Sequence, residues 1–505
     1  MSNDKSPSYI AELPLVVQPK AERVVLVRFD AGHRLFNTVL AEALKRLDLM
    51  RQSKEWQAAR TLQKGKDKNA AFAACNKRFG FSEYALQAAA TKHKNAAGFA
   101  GRLGAHETQK IATRVWLAVQ EHAFGRRGRP RFKGKIRPLH SLEGKSNEAG
   151  IRWNADTGCV TWNKLVLPAK LPTKEQDPYL HAALAAKTKY CRIVWRMENG
   201  IRRWFVQLVQ QGTAPAKYEF HSQGQTVGLD IGPSTIAIVG DDAVGLEKLA
   251  PSVEPPWKEI KCLQRAQDRS RRAMNPDNYN PDKTVKKGPR KWNKSGRYNA
   301  RQKLLAELER CLAEGRDRDH GELCNKILGL GNVVKTESLS YLSFQKNYGK
   351  SVKVRAPGAL VERLKRRAES AGGKLEELNT RRLRMSQFDH VSGEYVKKPL
   401  KQRWHRLNGS DKLPQRDCYS AFLAKNACEN THNSSILAEE WTATESLLSR
   451  AGLCIKKPAT GMPTGSPTVV IPSERVARQR RFVRGHNRDV VAARREPGSP
   501  SHLCL

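Results

Sequence analysis

The clearest apolar patterning lies mid-chain, in Thr226-Val-Gly-Leu-Asp-Ile-Gly-Pro-Ser-Thr-Ile-Ala-Ile-Val-Gly240. Its two apolar runs, Val227 to Ile231 and Ile236 to Val239, predict short strands joined at a Gly-Pro-Ser turn. Asp230 interrupts the first run. Upstream, Arg23-Val-Val-Leu-Val-Arg28 predicts a first strand. Phe36, Val39, Leu40, Ala43, Leu44 and Leu47 share one face of a helix over 36–50. Ala- and Lys-rich helical patterning continues to about residue 124. Two hairpins follow. One runs from Ile151-Arg-Trp-Asn154 through Asp156-Thr-Gly158 to Cys159-Val-Thr-Trp162. The other turns at Asn199-Gly200, a dipeptide suited to a tight hairpin. The N-terminal half thus reads as a β module with an inserted helical block, its Trp and Arg residues forming core and cross-strand pairs rather than base-stacking platforms.

Downstream of the Asp230 hairpin, Pro276, Pro281 and Pro289 divide residues 257–303 into a helix and a mobile loop. Helices are then expected over Ala300–Glu314 and Gly358–Gly372, and strands over Asn332–Glu337 and Leu375–Leu378. After an irregular polar stretch, an apolar-faced helix opens at Asp417, where the helix dipole favours an acid. A last helix covers about 436–452. From Lys456 onward Pro, Gly, Ser and Arg dominate, including Arg475, Arg478, Arg480, Arg481, Arg484 and Arg488. That composition predicts a disordered cationic tail.

Charge changes the picture. The 505 residues carry 91 Lys and Arg against 49 Asp and Glu, a net +42, spread over the whole chain. A protein of this size and charge calls for a polyanionic partner, first of all a nucleic acid. No apolar run spans a bilayer and no signal-peptide core opens the chain, so a cytoplasmic protein without a membrane partner is expected. Its 10 Cys are scattered with no Cys-x-x-Cys, which fits reduced thiols and provides no thiolate zinc site.

Two cationic stretches are candidate nucleic-acid contacts. The turn Gly125–Lys135 presents Arg126, Arg127, Arg129, Arg131 and Lys133 with Phe132 among glycines that let the backbone approach phosphates. The 257–303 stretch carries Arg265, Arg269, Arg272, Lys291 and Arg297, interleaved with Tyr279, Trp292 and Tyr298. A plain basic loop is the alternative for the first. The lysines on the preceding helices, such as Lys64, Lys77 and Lys92, divide between a solvated face and a phosphate-tracking one. The acids Asp230, Glu337 and Asp417 stand out because each opens, ends or interrupts an apolar element. Alone, Asp230 reads as capping its own turn. Together they are the donor set that holds divalent metal against phosphate.

At these residues the chain resembles the RuvC nuclease of transposon-encoded TnpB proteins and the compact type V CRISPR effectors related to them. Gly228-Leu-Asp-Ile-Gly232 is similar to the first RuvC motif and Val333-Val-Lys-Thr-Glu-Ser-Leu339 to the second. Ala356-Pro-Gly-Ala-Leu360 resembles the family's Pro-Gly helix start, and Arg416-Asp417 with Ser420-Ala421 the third motif. Gly128-Arg-Pro-Arg-Phe-Lys-Gly134 is similar to the segment after the recognition block. Two departures stand beside these. The zinc-ribbon frame survives as Ser386-Gln-Phe-Asp-His-Val-Ser-Gly393 without its Cys, with His405 and Asn408 near the second pair. Tyr419 also stands where the family usually has Asn.

The resemblance implies a mixed α+β and α/β multidomain fold. A β-barrel wedge domain (1–35 and 126–222) would hold an inserted helical recognition block (36–125). An RNase H-like RuvC domain would follow (223–379, with the basic insertion at about 257–303, and 416–455), with a ribbon-like lid without zinc (380–415) and a basic tail (456–505). It implies an RNA-guided DNA endonuclease. Asp230, Glu337 and Asp417 would bind two Mg²⁺ or Mn²⁺ ions, and the partners would be a guide RNA, the double-stranded DNA target and its displaced strand, with the protein a monomer. The rival readings are a non-cutting RNA-guided DNA-binding protein, a transposase using the same acids, and a general RNA-binding protein.

Overall fold

A computed structural model describes residues 7–134, 137–215, 224–399, 402–429 and 431–457, in two compact units, 1–215 and 216–505. The expected cationic tail lies outside the described residues except for its first two positions, as does Lys135. Among the described residues no helix is long and apolar enough to cross a membrane.

The first unit begins with β1 (Ser8–Pro14) and the helices α1 (Pro19–Gln52), α2 (Lys54–Thr61), α3 (Lys66–Arg78), α4 (Glu83–Ala96) and α5 (Ala105–Ala123). It continues with β2 (Ser141–Glu143), β3 (Ile151–Asn154), β4 (Cys159–Trp162), β5 (Leu165–Pro168), α6 (Pro178–Leu184), β6 (Thr188–Glu198) and β7 (Ile201–Gln211). The expected strand Arg23–Arg28 is instead part of α1, and the helical block starts at residue 19 rather than 36. The valine run misleads because β-branched residues suit strands, but here position on the helix decides. Val25, Phe29 and Leu35 are buried on one face while Val24 and Val27 stay exposed, and Pro19 occupies the first turn, where proline is tolerated. Arg28, buried on that face, donates to the Trp162 carbonyl at 2.7 Å and lies over the indole ring.

The strands pair as an open sheet, β1-β7-β6-β2, and a separate one, β3-β4-β5, with an isolated bridge at Leu15–Ala169. No pairing among the described residues closes them into the expected barrel. β6 and β7 turn at Asn199 and Gly200, both at positive φ, as the dipeptide predicts. Trp195 faces Trp204 across this hairpin, and Trp153 and Trp162 are buried, so these tryptophans form core and cross-strand pairs.

The second unit contains β8 (Thr226–Ile231), β9 (Thr235–Val239), β10 (Val244–Lys248), α7 (Trp257–Ala273), α8 (Gly296–Leu330), β11 (Val333–Glu337), α9 (Tyr341–Arg355), α10 (Pro357–Ser370) and β12 (Lys374–Leu378). After these come α11 (Thr380–Leu383), β13 (Lys412–Pro414), α12 (Arg416–Asn426), α13 (Ser434–Arg450) and β14 (Cys454–Lys456). The five-stranded sheet runs β10-β9-β8-β11-β12. Its first three strands are antiparallel, and β8, β11 and β12 are parallel. Both faces are covered, which is why β8 and β9 read as nearly continuous apolar runs. On one face, Val227, Leu229 and Ile231 pack with Leu323, Cys324, Ile327 and Leu328 of α8 and with Leu360 and Leu364 of α10. The opposite face packs Ala237 and Val239 against Ala421, Phe422 and Leu423 of α12 and Leu437 and Trp441 of α13.

Other differences from the sequence reading have local causes. The expected helix 300–314 runs over the whole of α8, because its second half buries Leu323, Ile327 and Leu328 on the sheet. α9 escapes a periodicity reading because none of its residues is buried. β10 and β14 are short and gain their strand character by pairing with β9 and β13. The proline-rich loop after α7 is stapled. Asn275, buried, donates to the carbonyls of Arg271 and Asn293 and accepts from the Asn293 amide.

Candidate active site

Alternation along the strands places two acids on one face. In β8, Val227, Leu229 and Ile231 point to α8 and α10, so Gly228 and Asp230 point to α12. In β11, Val334 shares the α8 and α10 core, so Val333, Lys335 and Glu337 take the α12 side. Lys335 confirms this by donating to the Ala427 carbonyl at the end of α12 at 2.8 Å. The parallel register pairs Leu229 with Thr336, which sets Asp230 beside Glu337 at the same end of the sheet.

Gly228 brings the third acid in. A Cβ there would lie 1.9 Å from the Ala421 carbonyl oxygen and 2.5 Å from the Lys425 amide nitrogen, so α12 rests directly on the strand backbone. Two residues along a strand and four along a helix both advance about 6 Å. With Ala421 and Lys425 against Gly228, the first turn of α12 therefore comes to Asp230, and Asp417 lies in that turn. The Gln415 side chain caps the helix, accepting from the Cys418 amide at 2.7 Å, and its amide group donates to Asp417 at 3.2 Å. Arg416 pairs with Asp417 at 3.3 Å and donates to the Gln402 carbonyl.

The electrostatics agree with this placement. Burial first, then the charges of Asp417 and Glu337, hold the Asp230 carboxyl well above the usual carboxylate range, with Arg416 opposing them. Burial pushes Glu337 up to about 7. The carboxylates of Asp230 and Glu337 have no hydrogen bond or ion pair of their own among the described residues. Hard oxygen donors that repel one another fit a divalent cation of the Mg²⁺ class. They are not a preformed cage: among the described residues no three His, Cys, Asp or Glu side chains are gathered into a ready-made metal-binding group, and Asp417 is held by Arg416 and Gln415. Sequence reasoning missed Arg416 and Gln415 as partners, although both adjoin Asp417.

The ribbon-like segment is closed by hydrogen bonds. Asp389, buried, accepts from the amides of Val391 and Asn408 at 3.0 and 2.9 Å, joining the two turns. The Ser392 hydroxyl accepts from the Glu394 amide. His405 is bonded to Lys398 at 2.9 Å, and burial with the neighbouring Lys398 charge pushes it down to about 3. Tyr419 is fully buried, and its hydroxyl meets the amide and Nδ1 of His390 at 3.0 and 2.8 Å. It thereby ties α12 to this segment.

The cationic candidates separate into free and committed groups. In the first unit Arg129 pairs with Asp48 at 3.0 Å and Arg126 with Glu121 at 3.4 Å. Lys133 lies over Phe36, and Asn37 holds its backbone. Arg127 and Arg131 are exposed with no ion pair among the described residues. In the second unit Arg265 and Arg269 line a surface groove with Lys258 and Lys261. Arg272 lies over Tyr279, while Lys291 and Arg297 are exposed. Tyr279 and Trp292 pack edge to face at 5.8 Å around Arg271, so they are partnered within the loop.

No protein-family model matches the chain, and no curated protein matches it significantly. Among solved structures, the chain is similar to that of a Cas12f1–sgRNA–target DNA complex at 10% identity and TM-score 0.41, covering 82% of this chain and 98% of that one. A CRISPR-Cas12f ternary complex gives 10% identity and TM-score 0.28, with 81% and 83% covered. Overlaps this loose assign nothing to individual residues of this chain.

Proposed function

We propose that the protein is an RNA-guided DNA endonuclease whose second unit hydrolyses phosphodiesters with divalent metal. The observation that carries the hydrolytic part is the arrival of Asp230, Glu337 and Asp417 at one end of one sheet face. The strand order, three antiparallel strands followed by two parallel ones, supports an RNase H-like assignment. Asp230 and Glu337 would hold metal from rigid strands, and Asp417 from the first turn of α12. A bound divalent ion supplies charge neutralisation and an activated water at the phosphodiester. Arg416 supplies the counter-charge that keeps Asp417 in place before metal binds.

RNA guidance rests on the motif resemblance and on the net charge of +42, with sequence discrimination delegated to base pairing. Cutting of both strands in turn by one site belongs to the same proposal. The test is to purify the chain with the RNA that accompanies it, sequence that RNA, and assay cleavage of matching DNA with Mg²⁺. A single structured RNA ending in a variable segment and metal-dependent cutting are expected. Asp230→Ala should reduce cutting by roughly 10³-fold, the loss of several kcal/mol of metal-supplied stabilisation, while RNA and DNA binding persist. Cutting at the native rate by that variant would remove the catalytic assignment. Heterogeneous RNA with intact cutting would favour an unguided nuclease.

A further inference from the structure

A second candidate site opens just beyond β12, the strand that pairs with the Glu337 strand. A cavity of about 540 Å³ is lined by Arg381, Arg382, Arg384, Phe388, Tyr395 and His432, among others. Its wall is anchored to the catalytic end of the sheet. Glu337 pairs in register with Leu378, the Ser338 amide donates to the Leu378 carbonyl at 2.8 Å, and the Thr380 hydroxyl donates to the Ser338 carbonyl at 2.9 Å. The Asn379 side chain then caps α11, accepting from the amides of Arg381 and Arg382. The chain leaves through Arg384 at φ 40°, in the left-handed region.

The lining combines charge with flat rings. Arg381 and Arg382 are exposed and make no ion pair among the described residues. Arg384 lies over the Tyr395 ring at 4.4 Å. Phe388 and His432 are stacked at 4.0 Å with planes 6° apart, and His432 is fixed by its Nε2–H bond to the Leu383 carbonyl at 2.8 Å. Phe388 packs against Tyr395 with centroids 4.9 Å apart, so the outer flat surface of this column is the Arg384 guanidinium on the Tyr395 ring. The unpaired guanidiniums of Arg381 and Arg382 beside it match a nucleotide, with phosphate on those two arginines and base on the Arg384–Tyr395 stack.

We propose that this pocket binds a nucleotide of the single DNA strand whose neighbouring phosphodiester lies at Asp230 and Glu337. The proposal rests on the nuclease reading for its strand, yet binding can be read without cleavage. The experiment uses the full chain with its accompanying RNA and a short DNA oligonucleotide carrying 4-thiothymidine, photo-crosslinked without divalent metal and mapped by mass spectrometry. Adducts are expected on the segment 381–395 or at His432. The double variant Arg381→Ala/Arg382→Ala should lose them and bind with a log K against log salt slope shallower by about 1.4, two phosphates at about 0.7 each. Tyr395→Ala should weaken binding about fivefold, the lower end of base–aromatic stacking. Adducts confined to other segments, or an unchanged salt slope in the double variant, would overturn the pocket. Adducts in the pocket without metal-dependent cleavage by the native chain would overturn the nuclease reading alone, and cleavage without those adducts the pocket alone.

Discussion

The two faces of the five-stranded sheet differ in what their covering helices allow. The face under α8 and α10 is closed by aliphatic side chains and carries no acid from β8. The face under α12 is approached by helix backbone, close enough that only glycine fits at position 228. That helix starts at Arg416, so its cover ends where Asp230 and Glu337 begin. Carboxylates are retained where packing stops, at a helix N-terminus whose dipole favours them. Both faces carry an apolar core, and the α12 face in addition brings like charges together at its end.

The comparison can be broken most severely at the close contact. Gly228→Val would force α12 off the strand, and we expect a loss of about 3 kcal/mol or more with loss of cutting, measured by denaturant unfolding. On the apolar face, Leu364→Ala should cost about 2–5 kcal/mol through the cavity it leaves. Metal-dependent cutting by the fraction that remains folded should be retained.

On the acidic face the sign reverses. Asp230→Asn should stabilise the metal-free protein, because it removes a buried, repelled carboxyl. The carboxyls of Asp230 and Glu337 titrate higher folded than unfolded. Their contribution is therefore most favourable at low pH and declines as pH rises through about 7 for Glu337. The advantage of Asp230→Asn over the native chain should widen as pH rises above the ordinary carboxylate range, and added Mg²⁺ should raise the melting temperature of the native chain only. A constant difference across pH would contradict the repulsion. The smallest effect is expected from Tyr419→Phe, about 1 kcal/mol, as His390 loses its hydroxyl partner. A thermal melt measures it, and a parallel fall in cutting would show that the segment 386–408 helps to position Asp417.

Much of this arrangement was legible in the chain. The β8–β9 hairpin, the Asn199-Gly200 turn and the buried face of α1 at Phe36, Val39 and Leu40 follow from local pattern, since a residue's alternation or helical spacing is a property of its neighbours in sequence. The valine run at 24–27 was not legible, because its helical state depends on a distant core. The three acids could be named from their settings and motif resemblance, but not their electrostatic coupling or the hold of Arg416 and Gln415 on Asp417. The pocket at Arg381 and Tyr395 gave no signal, because its lining comes from two segments far apart in the chain, 381–395 and 431–434.

Sequence alone therefore determined most of the strands, the helical faces and the cationic character, and it named the three candidate acids. Tertiary structure decided which face each acid occupies, which arginines remain free, and how near α12 comes to β8. Those depend on register and on the approach of elements far apart in the chain. A single atom, the absent Cβ of Gly228, sets the last of them.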